Sequence, residues 1–223
     1  KLMAVEARPG VTTKRLDEIA EEYIRSNKAE PAFKGYFGYP ASICASVNEE
    51  VVHGIPGPKV LKDGDIVGID VGVKLEGYYS DAARTFPIGK IDDEAKKLIE
   101  VTREAMNRGI SQAVEGKHLS DISWAVQSWA EGAGFSVVRQ YVGHGIGTKL
   151  HEEPQVPNFG RPNEGIVLEA GMTLAIEPML NAGIYDVEVL KDGWTVVTKD
   201  RKRSCHFEQT IFVGKERPEV VTE

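Results

Sequence analysis

Cysteine is scarce in this sequence, whose 223 residues include only Cys44 and Cys205. Two cysteines cannot form the disulfide framework of a small secreted protein, and they fit a reducing compartment. The first residues carry charges where a secretory signal would need an apolar run. Apolar runs such as residues 172–176 are short, so no transmembrane span is expected. We therefore expect a cytoplasmic protein with no membrane partner.

Positive charge is also in short supply, with 27 Lys and Arg against 34 Asp and Glu and a net charge of −7. Nucleic-acid-binding proteins usually carry a basic face. The one basic cluster, Lys199 with residues 201–203, is interpreted as a solvated turn. The phosphate-loop patterns G-x-G-x-x-G and G-x-x-x-x-G-K-[ST] do not occur. Neither sequence-specific nucleic-acid binding nor nucleotide chemistry is expected.

What the chain does contain is an ordinary globular composition, with 41% hydrophobic residues and length for one large domain or two small ones. Helices flanking runs of strands indicate an α+β fold with an antiparallel sheet. Hydrophobic periodicity predicts helices over residues 12–27, 92–114 and 119–131. Strands are predicted over residues 43–52, 66–73, 78–86, 172–176, 187–190, 194–198 and 206–213.

Two aspartates, Asp70 and Asp81, flank a short polar turn between predicted strands. A turn centred between Leu75 and Glu76 places the two carboxylates directly opposite each other, with Cβ atoms about 4.5–5.5 Å apart. Two carboxylates in one site either share a proton or hold a cation. If the turn slips by one residue, both aspartates are instead merely solvent-exposed. The pair alone leaves these interpretations open.

Three histidines stand beside glycine-containing turns: His53, His144 and His151. The glycines around His144 exclude the helical H-E-x-x-H zinc motif and let the backbone approach a metal or substrate closely. A lone histidine is more often structural, but three in such settings favour a functional site. We interpret His118 as a surface residue and assign no role to His206.

Two glutamates complete the candidate site. Glu177 follows an apolar strand, and strand alternation places Glu208 on one face with His206 and Thr210. A carboxylate at the end of a hydrophobic strand is costly unless it is paired or metal-bound. Four carboxylates with imidazole favour a pair of Mn²⁺, Fe²⁺, Co²⁺ or Zn²⁺ ions. The residues therefore predict a dinuclear metallohydrolase.

Seven stretches in order make the chain resemble the type I methionine aminopeptidases over nearly its whole length. They are GYFGYP at 35–40, SVNEEVVHGIP at 46–56, the Asp70/Asp81 hairpin, YVGHGIG at 141–147, HEEPQVP at 151–157, AIEP at 175–178 and SCHFEQT at 204–210. The resemblance implies the α+β pita-bread fold, with an antiparallel sheet, flanking helices and halves related by a pseudo-twofold axis. It implies one catalytic domain over residues 1–223, lacking a short N-terminal segment.

The resemblance also implies residue roles. Metal ligation falls to Asp70, Asp81, His144, Glu177 and Glu208, with Asp81 and Glu208 bridging two ions. Glu177 also acts as general base, while His53 and His151 contact substrate without binding metal. The methionine pocket is lined by Tyr36, Tyr39, Cys44, Leu150 and Trp194. A monovalent cation, Na⁺ or K⁺, sits on backbone carbonyls near Asn48, Glu50 and Ser204.

The implied activity is removal of the initiator methionine from nascent polypeptides whose second residue is small, by metal-activated hydroxide. A monomer that associates transiently with ribosomes is expected. One alternative is an X-Pro-specific peptidase of the same fold, although 223 residues leave no room for the extra N-terminal domain of such enzymes. Another is a non-catalytic pita-bread binding protein, although such relatives typically lose metal ligands.

Overall fold

The structure, a computed structural model, describes residues 1–222 and contains four α-helices and a short 3₁₀ turn within them. No helix in this range is both long and apolar enough to cross a membrane. The helices are α1 (Leu2–Glu6), α2 (Thr13–Ser26), α3 (Asp93–Ile110) and α4 (Leu119–Gly132), and the 3₁₀ turn spans Tyr36–Gly38.

The long helices begin where side-chain caps satisfy free backbone N–H groups. The Thr12 hydroxyl accepts a hydrogen bond from Arg15 N at 3.1 Å at the start of α2, and the Asp92 carboxylate accepts one from Ala95 N at 2.8 Å at the start of α3. The predicted helix over 92–114 is too long, because α3 ends at Ile110. Tight turns follow, and Val114 forms an isolated bridge with Gly214.

Within residues 1–222, the strands form four separate antiparallel sheets. In the first, β3 lies between β4 on one side and β1 and β2 on the other. The others have the orders β14-β13-β8-β6-β7, β12-β9-β5 and β10-β11. The strands are β1 (Glu30–Pro31), β2 (Cys44–Val47), β3 (Ile66–Leu75), β4 (Tyr78–Pro87), β5 (Ser136–Val137), β6 (Gly143–Gly145), β7 (Glu152–Val156), β8 (Thr173–Ile176), β9 (Met179–Asn181), β10 (Val187–Val189), β11 (Val196–Thr198), β12 (Ser204–His206), β13 (Gln209–Phe212) and β14 (Glu219–Val220).

The β3–β4 hairpin corrects the predicted register. Its turn residues are Glu76 (φ 50°) and Gly77 (φ 89°), whose positive φ angles suit a two-residue type I′ turn. Asp70 therefore pairs with Ala83, and Asp81 pairs with Gly72, so the direct Asp70–Asp81 pairing was wrong. The turn lies one residue later than predicted, which moves each pairing partner by two residues. Strand side chains alternate with a period of two, so the exposure expected from such a slip does not follow. Both aspartates stay on one face as diagonal neighbours.

The predicted strand over 43–52 also ends early, at Val47. Asn48 takes a left-handed conformation (φ 56°), and its side chain forms hydrogen bonds with the segment that leads into β3. Its amide donates to Asp65 Oδ1 at 2.8 Å and its carbonyl oxygen accepts from Ile66 N at 3.1 Å. The chain therefore turns away from the sheet before it reaches His53.

The apolar core is divided, and the division positions the site. Helices α3 and α4 pack against the sheets of the second half through residues such as Leu98, Ile122 and Ile176. A separate cluster lies between α2 and the β2–β3 strands and includes Leu16 and Val67. A third, smaller cluster contains Phe33, Tyr39, Cys44, Ile146 and Leu150.

Candidate active site

Three buried side chains from distant parts of the chain lie close together. Asp81 comes from β4, His144 from β6, and Glu208 from the link between β12 and β13. One potential ligand atom of each lies within 4.8 Å of the others. Their exposed fractions are only 4%, 6% and 2%, so water cannot solvate these groups freely.

Asp70 and Glu177 extend this group to the acidic cluster, defined as Asp70, Asp81, Glu177 and Glu208. Asp70 lies on β3 diagonal to Asp81, and Glu177 directly follows β8. Glu177 Oε1 is 3.6 Å from His144 Nε2. The structure therefore brings all five predicted ligands together; which of them bind metal stays a prediction.

Glycine is required on both sides of His144. The predicted reason was a close approach of the backbone to metal or substrate, but the structure shows a different one. A Cβ on Gly143 would collide with the Ala175 carbonyl oxygen, and one on Gly145 with the Glu153 carbonyl oxygen. Both contacts are to neighbouring strand backbone, not to the cavity. The glycines therefore let β6 fit between β7 and β8, and this close packing places His144 at the cluster.

Crowding of carboxylates disfavours their charged forms. Burial raises the pKa of Asp70 to about 6, and burial with His144 nearby leaves the pKa of Glu177 at about 7. Burial and then the Asp70 charge raise the pKa of Asp81 well above its usual range. Burial and the Asp81 charge do the same to the pKa of Glu208. Like charges gathered in a desolvated site favour binding of a cation.

The unsatisfied atoms of the cluster fit such a cation. Among residues 1–222, Asp70 Oδ1, Glu208 Oε1 and His206 Nε2 are buried without a hydrogen-bond partner. Buried polar atoms normally have partners, so the carboxylate oxygens indicate a missing ligand. An oxygen-rich donor set with one imidazole suits divalent transition ions.

His144 is oriented to offer a nitrogen lone pair. Its Nδ1 is 2.9 Å from the Gly145 carbonyl oxygen, so Nδ1 carries the proton and donates it. Burial lowers the pKa of His144 despite the opposing Glu177 charge, which favours the neutral ring. Nε2 is then free to coordinate. A backbone carbonyl that fixes the tautomer in this way is typical of metal-binding histidines.

A cavity of about 180 Å³ joins the acidic cluster to an aromatic wall. Cys44 pairs with Asp70 across β2 and β3, so the apolar wall begins beside the carboxylates. Every residue predicted for the site lines this cavity: Tyr36, Tyr39, Cys44, His53, Asp70, Asp81, His144, Leu150, His151, Glu177, Trp194 and Glu208.

The two histidines predicted to contact substrate, His53 and His151, also line the cavity. His53 adopts a left-handed backbone (φ 59°) and packs edge-on against Tyr141 at 5.5 Å. Burial lowers the pKa of His53 to about 4. His151 packs against His144 with ring centroids 4.3 Å apart, and burial lowers the pKa of His151 too. Both shifts favour the neutral ring.

Comparison with known proteins decides the family, because the model of metallopeptidase family M24 matches residues 1–215. The chain belongs to metallopeptidase family M24. The prediction of a metal-dependent hydrolase from the acidic cluster is thereby confirmed. The family also supports binding of divalent metal by this cluster.

Individual relatives of this M24 metallopeptidase agree. A methionine aminopeptidase of Clostridium perfringens is 56% identical over 221 residues, 99% of this chain and 89% of the relative. The crystal structure of methionine aminopeptidase from Rickettsia prowazekii has a TM-score of 0.98 at 46% identity, covering 100% of this chain and 90% of that one. The resemblance to methionine aminopeptidases is confirmed.

A more distant structure bears on the fold alone. An X-Pro aminopeptidase from Thermotoga maritima has a TM-score of 0.76 at 22% identity, and the match covers 100% of this chain but 55% of that one. At this identity the likeness extends to architecture and not to substrate. With the mixed helices and antiparallel sheets of residues 1–222, these comparisons confirm the predicted α+β pita-bread fold.

Several residues at the M24 site carried no prediction. Phe33 and Phe37 line the cavity. His206 is buried, with Nε2 3.5 Å from Glu177 Oε2, and Thr210 bonds the backbone of Asp81. The predicted strand over 206–213 is broken between β12 and β13. The alternation of His206 with Glu208 along the strand could have indicated that both side chains lie on the face of the site. The contact between His206 and Glu177 joins segments 29 residues apart, and no local pattern indicates it.

The basic cluster of this M24 metallopeptidase is largely neutralised by acidic neighbours. Lys199 Nζ is 4.0 Å from Asp186 Oδ1, Arg203 pairs with Asp92 at 2.7 Å, and Arg201 pairs with Glu188. These residues occupy the connection between β11 and β12. The geometry agrees with the interpretation as a solvated turn.

Proposed function

We propose that this chain is a methionine aminopeptidase, which hydrolyses the peptide bond after an N-terminal methionine when the second residue is small. The observation that carries the proposal is that one cavity contains both the acidic cluster and a wall formed by aromatic rings and the Cys44 thiol. The wall would hold the methionine side chain while the acidic cluster faces the scissile bond. The names of relatives at 56% and 46% identity support this substrate.

The apolar wall suits a thioether. Tyr39 and Trp194 meet edge to face, with ring centroids 5.1 Å apart, and Cys44 and Leu150 are buried beside them. Sulfur makes favourable contacts with aromatic rings, and an unbranched side chain fits an irregular pocket. A charged or branched first residue would gain less from this wall.

Two divalent ions, Co²⁺, Mn²⁺, Fe²⁺ or Zn²⁺, would be held by Asp70, Asp81, His144, Glu177 and Glu208. When bound, such ions act as Lewis acids and lower the pKa of coordinated water towards about 7. Asp81 and Glu208 are our candidates for bridging ligands. One carboxylate oxygen of each lies within 4.8 Å of the other and of a His144 ring nitrogen.

The remaining chemistry is assigned to the chain's own side chains. Glu177 accepts a proton from the attacking water and passes it to the leaving amine nitrogen as the C–N bond breaks. His151 donates a hydrogen bond to the carbonyl oxygen as negative charge develops there. His53, which also lines the cavity, orients the scissile amide. An adjoining open groove of about 810 Å³ shares His144 and His151 with the site and would admit the rest of the peptide.

Finer features complete the proposal. A Na⁺ or K⁺ ion would sit on the carbonyls of Asn48, Glu50 and Ser204; Ser204 N lies 2.8 Å from Asn48 O, so two of these segments are adjacent. Residues 1–223 would act as one catalytic domain and as a cytoplasmic monomer. It would meet its substrates, nascent polypeptide N-termini, by transient association with ribosomes.

The test is a substrate panel with metal control. Metal-loaded protein should release methionine from Met-Ala-Ser and should leave Met-Leu-Ser and Leu-Ala-Ser largely intact. Chelation should abolish release, and added Co²⁺ or Mn²⁺ should restore it. Cleavage of X-Pro dipeptides without cleavage of Met-Ala-Ser would favour the X-Pro alternative. Full activity after chelation would refute the metal role.

A further inference from the structure

The loop between Gly35 and Gly38 holds an aromatic residue in an unusual backbone conformation. Phe37 has φ 47° and ψ 25°, in the left-handed region that non-glycine residues seldom occupy. Phe37 is 85% exposed, and its ring packs edge-on against that of Tyr36 at 4.7 Å. Exposure of the ring gives no reason for the strained backbone. Such residues are found where a functional site needs a fixed geometry.

What the loop positions is the phenol of Tyr36. Tyr36 Oη lies 2.8 Å from His151 Nδ1, a contact between residues 115 positions apart. The two rings have centroids 5.3 Å apart at an angle of 40°. On its other side, the His151 ring packs edge to face against His144 at 4.3 Å. His151 therefore contacts both the loop, through Tyr36, and the candidate ligand His144.

The direction of this hydrogen bond follows from the two partners. A neutral imidazole has one donor nitrogen and one acceptor nitrogen, whereas a phenol can donate or accept. Burial and the nearby Tyr79 raise the pKa of Tyr36, so its hydroxyl keeps its proton. A phenol O–H is a better donor than an imidazole N–H, and an imine nitrogen is a better acceptor than a phenol oxygen. The hydroxyl therefore donates to Nδ1, which leaves the ring proton on Nε2.

We propose that Tyr36 is a positioning residue that sets the tautomer of His151, in addition to lining the pocket wall. With its Nδ1 occupied, His151 presents Nε2–H as a donor. His144 has the opposite arrangement, because its Nδ1 donates to the Gly145 carbonyl and its Nε2 carries the lone pair. Two packed histidines thus take opposite tautomers, one to donate and one to coordinate. The catalytic consequence rests on the proposed function, whereas the tautomer does not.

The tautomer can be observed directly by ¹⁵N NMR of histidine-labelled full-length chain, metal-free and zinc-loaded. The His151 signals are assigned by their loss in His151→Ala. Wild-type protein should show the Nε2–H pattern for His151. Tyr36→Phe, which removes only the hydroxyl, should convert it to a tautomer mixture or to Nδ1–H. Tyr39→Phe is the matched control. The Tyr39 phenol donates to the carbonyls of Ile43 and Gly54 at 3.1 Å and not to His151, so its removal should leave the His151 pattern unchanged.

Kinetics then test the consequence. Tyr36→Phe should lower kcat for Met-Ala-Ser by about 3- to 10-fold, the range of one neutral hydrogen bond, with little change in KM. In the His151→Ala background the same substitution should cost nothing further, because the residue it positions is gone. A purely structural Tyr36 would lower activity equally in both backgrounds.

Two results would overturn the proposal: a wild-type His151 in the Nδ1–H form, or a Tyr36→Phe protein that keeps the Nε2–H pattern. The wild-type spectrum decides even if the variant fails to fold. Failure of the proposed function would look different. Methionine substrates would then stay uncleaved while the wild-type spectrum still showed Nε2–H.

Discussion

Thr210 holds both backbone polar groups of Asp81. Its Oγ1 donates to Asp81 O at 2.8 Å and accepts from Asp81 N at 2.9 Å. The same pattern recurs in reverse, because Thr85 Oγ1 donates to His206 O at 2.8 Å and accepts from His206 N at 3.1 Å. Each of the two segments thus supplies one threonine to the backbone of the other.

Between these threonines, Glu208 N donates to Ala83 O at 2.8 Å. Strand β4 and residues 206–210 therefore run antiparallel, with a side-chain brace at each end. This arrangement joins the two halves of the fold at the metal-binding candidates. Asp81 and Glu208, the proposed bridging ligands, are positioned by one set of contacts.

Replacing Thr210 by valine should loosen this brace. Thr210→Val keeps the shape but leaves the Asp81 N–H and C=O without their buried partner, at a cost of about 1–3 kcal/mol in free energy of unfolding. Metal affinity should fall with it, because Asp81 loses its backbone anchor. Thr210→Ser retains the hydroxyl and should recover most of both losses. Chemical denaturation measures the free energy of unfolding, and calorimetric titration measures metal affinity. Unchanged metal affinity in the valine variant would contradict the expectation.

The two aspartates should differ in their effects. Asp81→Asn should lower bound metal and activity more than Asp70→Asn, because Asp81 is proposed to bridge both ions and Asp70 to hold one. Each substitution replaces a carboxyl whose charged form is disfavoured by burial with a neutral amide, so the melting temperature of the metal-free protein should stay the same or rise. Metal analysis measures the bound metal, steady-state kinetics measure the activity, and thermal unfolding of chelated samples gives the melting temperature. Wild-type metal content in both variants would remove these residues from the ligand set.

The two packed histidines should separate metal binding from turnover. His144→Ala should lose metal and activity together. His151→Ala should keep its metal and lose about 10²- to 10³-fold in turnover, the effect of one donor to a developing oxyanion, with a smaller change in apparent substrate binding. Metal content and thermal unfolding, measured beside kinetics, guard against misfolding. A well-folded, metal-loaded His151→Ala protein with wild-type turnover would refute the role of His151.

Removal of metal should make stability depend on pH. Folding raises the pKa of Glu177 from 4.5 to about 7 and that of Asp70 from 3.8 to about 6. A raised pKa means that the folded state binds more protons, so stability falls as pH rises through the folded value. His53 acts oppositely but in a lower window, because its pKa falls from 6.5 to about 4.

Between about pH 6.5 and about pH 8 the carboxylates should therefore dominate. Chelated protein should have a lower free energy of unfolding at the higher pH, and bound divalent metal should remove most of the difference by neutralising the cluster. Urea unfolding at both pH values, with and without metal, provides the measurement. Equal stability of the chelated protein at both values would show that the cluster does not titrate in this range.

Much of the site could be predicted from local sequence. Asp70 and Asp81 lie in one hairpin, where alternation places both on one face whichever of the two registers forms. The ligand types and their order along the chain identify a family whose model matches residues 1–215. The helices α2 and α4 were predicted to within a residue of their observed ends, because their caps and apolar stripes are local features.

Only the tertiary structure decided how these pieces meet. The hairpin register depended on a type I′ turn at Glu76 and Gly77, which the hydrophobic pattern does not distinguish from a turn one residue earlier. The Tyr36–His151 hydrogen bond spans 115 positions and the Thr210–Asp81 brace spans 129. Such partners are chosen when distant strands pack at a fixed distance and angle. Composition and spacing therefore determined the chemistry available to this chain, and long-range packing decided which atoms are brought within hydrogen-bonding reach.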